Sequence, residues 1–143
     1  MPLTVGWNGG VSVSYNDSRV VFDPQRRSQH YSRVFVTHAH MDHASVSSRL
    51  SCEKFSTKET KVLLTTYKRR VNGWKPISYY ERVKVGDLEV VAHNAGHVLG
   101  SALYEVISPE GTVVYTGDFQ FKNTFTLKAA EAVQCDILIL EAT

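Results

Sequence analysis

At 143 residues, 43% of them hydrophobic and 21% charged, this chain has the length and composition of one modest folded domain. Its formal charge of +2 is too small to argue for nucleic acid by itself. Two cysteines without a C-x-x-C pair, Cys52 and Cys135, indicate neither a disulfide framework nor a thiolate zinc site, so a reducing cytoplasm fits. The opening MPLTVGWNGGVS lacks a basic leader and a continuous apolar stretch. No apolar run reaches the roughly 18 residues of a membrane span. Charge is unevenly spread. Residues 54–84 hold nine Lys or Arg against two Glu, a net of +7, and residues 85–143 hold two Lys against eight acids, a net of −6. Such an asymmetry marks either a solvated helix face or a surface for an anionic partner.

Along the chain, Val11 to Tyr15 alternates as a strand does, Asn16-Asp17 is a hairpin-type turn, and Arg19 to Phe22 returns. Val34 to Thr37 reads as a short buried strand, with a helix to follow near 44–50. The clearest helix is expected over 57–70. Ser56 and Glu59 form a capping box, Val62, Leu63, Leu64 and Tyr67 supply a core face, and Lys68, Arg69 and Arg70 suit the C-terminal end of the dipole. Strands are expected at 79–85, 88–93, 102–107 and 112–116. A short helix near 125–133 should precede a buried strand at 136–140. This is a β-rich α/β pattern in which strands feed loops.

One of those loops carries H-A-H-M-D-H. In extended backbone His38 and His40 point to the same side, because side chains alternate. Two imidazoles on one side suit a zinc ion, and Asp42 and His43, one step on, reach toward a second. A lone histidine is most often a satisfied core or surface residue. Three with an aspartate in six positions, directly after a buried strand, are not explained that way. HNAGHVLGSA, 93–102, sets His97 in a glycine-flanked tight loop. VVYTGDF, 113–119, puts Asp118 just after a strand, where a carboxylate bridges two cations in two-metal sites. His93, at a strand end, is expected to make an ordinary hydrogen bond, and His30 to be exposed.

In this order, H38-x-H40-x-D42-H43, His97 and Asp118 resemble the motifs of the metallo-β-lactamase superfamily, with Asp23 in VVFDP similar to its early structural aspartate. The resemblance implies an αββα sandwich of which residues 1–143 are the N-terminal portion, and one or two zinc ions held by His38, His40, Asp42, His43, His97 and Asp118. NAGHVLGSALYEV, VVYTGDF and CDILILEAT further resemble the β-CASP nuclease branch. There the acidic residue ending the next strand, here Glu141, joins Asp42 and Asp118 as a catalytic group. A glutamate at this place, and His97-Val-Leu-Gly-Ser in place of H-C-P-G-S, resemble the RNA-processing members of mRNA 3′-end type more than the DNA-repair members. Many thioester hydrolases and lactamases carry two glycines soon after the D-H pair; here Ala44-Ser45 follows. The implied activity is metal-assisted phosphodiester hydrolysis of RNA, or of single-stranded DNA. Lys68, Arg69 and Arg70 would contact phosphates, without sequence specificity.

Complete members of that branch continue through an inserted domain to two further histidines, whereas no histidine follows His97 here. The resemblance therefore implies an incomplete second metal site, an inactive isolated chain, and an apolar face open to a homodimer partner or a complementing C-terminal portion. Two other readings remain: a thioester or lactam hydrolase, and a non-catalytic metal-binding or assembly module.

Overall fold

Two stretches rich in β-branched and aromatic residues form two sheets stacked face to face. In the computed structural model, which describes residues 1–142, the first sheet contains β1 (Thr4–Trp7), β2 (Val11–Tyr15), β3 (Ser18–Phe22), β4 (Arg33–Phe35), β5 (Glu53–Thr57) and β6 (Trp74–Ile77), side by side in that order. The pairs from β1 to β3 are antiparallel and those from β3 to β6 parallel. The second sheet sets β7 (Arg82–Val85), β8 (Leu88–Asn94), β9 (Ala102–Ser108) and β10 (Gly111–Tyr115) in an antiparallel meander, with β11 (Ile137–Ile139) parallel to β10 at the edge.

The two-residue period of a strand sorts the side chains between layers. Phe22 and Phe35 face the space between the sheets, whereas Val21, Val34 and Val36 face outward. Val90, Tyr104 and Val106 meet the inner set from the second sheet. Phe22 holds ring centroids 5.4–5.8 Å from Phe35, Tyr104 and Tyr115, a spacing typical of favourable aromatic pairs. On the outer face of the first sheet lie α1 (Met41–Ala44) and α2 (Lys58–Thr66), which bury Ala44 and Leu64 against Val21, Val34 and Trp74. Leu103 and Val114, on the outer face of the second sheet, are covered by Phe119, Ala130 and Val133. Two mixed sheets with few helices make the expected α/β sandwich.

Several local expectations need correction. The helix expected over 57–70 ends at Thr66, and its N-cap is Thr57, whose side chain accepts from Thr60 N at 3.3 Å. Ser56 belongs to β5 and accepts from Trp74 Nε1 at 2.7 Å. Thr60 and Leu64 form the buried face, while Val62 and Tyr67 are exposed. Lys68, Arg69 and Arg70 lie beyond the helix. Lys68 has φ 56°, and Lys68 N and Arg69 N donate to Thr65 O and Leu64 O, the paired bonds of a Schellman cap. The helix expected near 44–50 starts earlier, at Met41, and is followed by a 3-10 turn, Ser47–Arg49.

No helix forms at 125–133. There the carbonyls of Lys128 and Ala129 accept from Asn94 Nδ2, and Ala130 N and Glu131 N donate to Gln120 O and Asn94 O. With those groups committed to the second sheet's loops, the i→i−4 ladder has no partners left. The strand expected at 79–85 is reduced to β7. The one expected to be buried at 136–140 is an exposed edge, with Leu138 55% accessible. Among the described residues no helix is long and apolar enough to cross a membrane.

Candidate metal centre

Three loops meet at one end of the sandwich: residues 36–43 after β4, residues 95–101 between β8 and β9, and residues 116–118 after β10. Ala102 N donates to Thr37 O at 2.8 Å and ties the sheets together beside this meeting point. Gly117 adopts φ 51°, and a Cβ there would lie 2.6 Å from the Thr37 side chain. Glycine thus lets the Asp118 turn close on Thr37. The 95–101 loop is clamped from within. Ser101 Oγ accepts from His97 N (3.0 Å) and Val98 N (3.2 Å), and Asn94 Oδ1 accepts from Gly96 N (3.0 Å). Gly100 O accepts from the Thr57 and Thr60 hydroxyls, which pins the loop to the start of α2.

The result is one converging group among the described residues: His38, His40, His97 and Asp118. His38 Nε2 lies 3.1 Å from His40 Nδ1, His97 Nε2 lies 3.3 Å from His40 Nδ1, and Asp118 Oδ2 lies 3.7 and 3.4 Å from the His38 and His97 Nε2 atoms. A tetrahedron with bonds of about 2.0–2.1 Å, the zinc geometry, has edges of about 3.3–3.4 Å. Four of the donor pairs stand at 3.1–3.7 Å, near that edge length, and all four donors lie within 4.8 Å of one another, close enough to share one ion. A three-imidazole, one-carboxylate set fits zinc.

Asp118 also presents its other oxygen. Oδ1 lies 3.3 Å from His43 Nε2, and Asp42 Oδ2 lies 3.5 Å from the same nitrogen. Asp42 and His43 lie outside the four-donor group. Behind both histidines sits Asp23, 3% exposed, which sequence reading had set aside for support of the site. Thr37 Oγ1 donates to Asp23 Oδ2 (2.7 Å), so it is left to accept from His38 Nδ1 (2.9 Å). His43 Nδ1 donates to Asp23 Oδ2 at 2.8 Å. Each bond places a proton on Nδ1 and leaves Nε2 facing the centre, the usual outer arrangement behind metal-ligating histidines.

Burial, aided by the neighbouring His43, His40 and His97 rings, pushes His38 down to about 3, so it is a neutral donor. Burial also lowers His97, against the pull of Asp118. For His43, burial pushes downward, but the Asp23 hydrogen bond and the charges of Asp23, Asp118 and Asp42 prevail and hold it at about 9. His43 is therefore protonated at neutral pH when no cation is bound. Between about pH 6.5 and 9, cation uptake at His43 should release a proton, whereas uptake at His38 should not. Calorimetry in buffers of different ionisation enthalpy checks this. A proton count of zero at pH 7.5, with both cations bound, would contradict it.

Glu141 borders the same depression as Asp42, His43 and Tyr115, and its backbone N donates to Thr116 Oγ1 (3.1 Å). His93 lies apart, bonded to Glu105 at 2.7 Å, and His30 is exposed. Lys68, Arg69 and Arg70 are exposed, and only Arg69 shares a depression with His40. Sequence reading missed Thr37, Ser101, Asn94 and Tyr115. A hydroxyl directly before His38, and a serine four residues after His97 in a glycine-rich loop, were the available signals for two of them.

The sequence matches no protein-family model. It is similar to RNase aCSPSF2 of Saccharolobus solfataricus, 26% identical across 76% of this chain and 27% of that protein. To a probable DNA ligase of Opitutus terrae it is 29% identical across 84% of this chain and 11% of the relative. To cleavage and polyadenylation specificity factor subunit 3 of Dictyostelium discoideum it is 28% identical across 77% and 18%. The chain thus spans less than a third of each of these relatives. Among solved structures, a protein of unknown function from Enterococcus faecalis V583 shares the fold, with a TM-score of 0.64 at 19% identity over 79% of this chain and 41% of that one.

Proposed function

We propose that this chain, whose relatives include β-CASP nucleases of the metallo-β-lactamase superfamily, carries the zinc-binding portion of a larger phosphodiester hydrolase acting on RNA. The observation that carries this reading is the convergence of the His38, His40, His97 and Asp118 donors within 4.8 Å of one another, with the second Asp118 oxygen turned to His43. His38, His40, His97 and Asp118 would hold one zinc ion. Asp42 and His43, with the other Asp118 oxygen, would hold a second. Bound zinc supplies Lewis acidity toward a phosphoryl oxygen and makes water acidic enough to act as a nucleophile near pH 7.

The chain's own residues supply position. Asp42, with a side chain 75% accessible, would orient an attacking water through the oxygen not given to the cation. Asp23 keeps the His43 ring aimed at the centre. Glu141 adds a third carboxylate at the rim of the same depression.

Labelled single-stranded RNA, DNA of the same sequence and a glutathione thioester should be offered to this chain and to the full-length gene product, with zinc and with chelator. RNA cleavage by the full-length protein is expected to fall by about 10²–10⁴ in Asp42→Ala. The chain alone should cleave little. The likeness to a probable DNA ligase supports a second reading, DNA as substrate, which DNA cleavage outpacing RNA would select. Thioester hydrolysis without cleavage of either polymer would overturn both.

A further inference from the structure

Three adjoining depressions run in succession from the side of His40, and cations line each of them. The first lies between His40, Met41, Tyr67 and Arg69, the second passes Lys68, Arg70 and Arg49, and the third reaches Arg27, Ser28 and Ser51. Successive depressions share residues, Arg69 joining the first to the second and Arg27 with Arg49 joining the second to the third. No aspartate or glutamate lines them. All five cations are exposed, and none forms an ion pair among the described residues. Tyr67, 57% accessible, stands at the end nearest His40.

The local fold sets this up. The Schellman cap after α2 turns the chain so that Lys68, Arg69 and Arg70 leave the helix toward Arg27 and Arg49. It does so with lysine at φ 56°, a backbone region that favours glycine. A cation kept where glycine would sit without strain points to use of its charge.

We propose that this row of depressions is the track for the backbone of a single-stranded polynucleotide, leading over His40 to the metal centre, with a base stacked on Tyr67. Four of the five cations are arginines, whose planar fork pairs with phosphate oxygens. An exposed aromatic ring beside a row of cations is the arrangement that binds single strands, because every base has a stacking face. The proposal rests on the nuclease reading for its choice of polymer, but binding without metal tests it separately.

Fluorescence anisotropy of RNA and DNA 12-mers of one sequence, in chelator and across a salt series, provides the test. Arg27→Gln, Arg49→Gln and Arg69→Gln together should weaken both polymers at least tenfold. They should also reduce the log–log salt slope by about 2, since each phosphate contact on a single strand contributes about 0.7. Lys58→Gln with Lys61→Gln, on α2 and outside these depressions, should change affinity less than twofold. Tyr67→Ala should cost about tenfold with the slope unchanged. Lys68→Gly should weaken binding while raising the melting temperature by about 3 °C, a combination that a purely structural lysine would not give. An unchanged slope in the triple variant, an equal loss in the Lys58/Lys61 control, or binding of polyglutamate but neither oligonucleotide would overturn the track. Intact binding without hydrolysis by the full-length protein would count against the nuclease reading alone.

Discussion

On the proposed reading, Asp118→Ala is expected to weaken the first zinc ion by about ten- to a hundredfold, eliminate the second, and abolish hydrolysis by the full-length protein. The geometry explains the asymmetry. His38, His40 and His97 remain after the substitution, and three imidazoles with a water in the fourth position can still hold zinc. The other group keeps only Asp42 and His43, because Asp118 Oδ1 was its third donor, 3.3 Å from His43 Nε2. With one carboxylate serving both groups, its loss also removes whatever fixes their spacing, which in two-metal sites is about 3.5–4 Å. Asp118→Asn, which keeps one acceptor oxygen and the shape but not the charge, should retain more of the first ion and none of the second. Competition titration against a chromophoric chelator reads both constants. Two zinc ions bound by Asp118→Ala at native affinity would show that the carboxylate is a bystander.

How much of this centre could be read from the sequence depends on how local each determinant is. His38, His40, Asp42 and His43 were legible because strand alternation and one helical turn fix their directions within six residues. Their convergence with His97 and Asp118 was readable only through motif order, since β4, β9 and β10 meet there through long-range pairing. Strand periodicity located β2 to β4 and β7 to β11, yet β1, β5 and β6 were missed. Glu53–Thr57 reads as polar, while in the fold Lys54 is 2% exposed and donates through Nζ to Leu50 O. The sequence over 125–133 has helical propensity, and the fold overrides it by committing backbone groups to Asn94 and Gln120. The extra turn expected for α2 failed for a similar reason. Capping bonds to Leu64 O and Thr65 O close the helix before the basic residues, so these line a depression rather than extend a helix face.

The largest loss of stability is expected not from a ligand but from Asp23→Ala, at about 3–5 kcal/mol in the metal-free chain. Asp23 Oδ1 accepts from Thr37 N (2.9 Å), and Oδ2 accepts from Thr37 Oγ1 (2.7 Å), His43 Nδ1 (2.8 Å) and Tyr115 OH (3.2 Å). Alanine leaves these donors in a buried site without acceptors, one of them on a charged ring. Each orphaned donor costs about 1–3 kcal/mol, less where water can enter. Asp23→Asn separates backbone from charge. Residue 23 has φ 43°, which asparagine tolerates as well as aspartate, so a loss in that variant is not backbone strain. The sign of the pH dependence is fixed by His43, whose folded value of about 9 lies above its ordinary 6.5. Its contribution is complete below about pH 6.5 and disappears as pH rises through 9. The gap between native and Asp23→Ala should therefore be widest near pH 6 and narrower near pH 9.5, in urea unfolding of the metal-free proteins. Zinc affinity should fall by about ten- to a hundredfold in the same variant, because His43 loses its tautomer-setting partner and the Thr37 hydroxyl, without its Asp23 acceptor, is no longer held to accept from His38 Nδ1. A gap below 1 kcal/mol, or one that widens with rising pH, would mean that Asp23 does not hold the His43 proton.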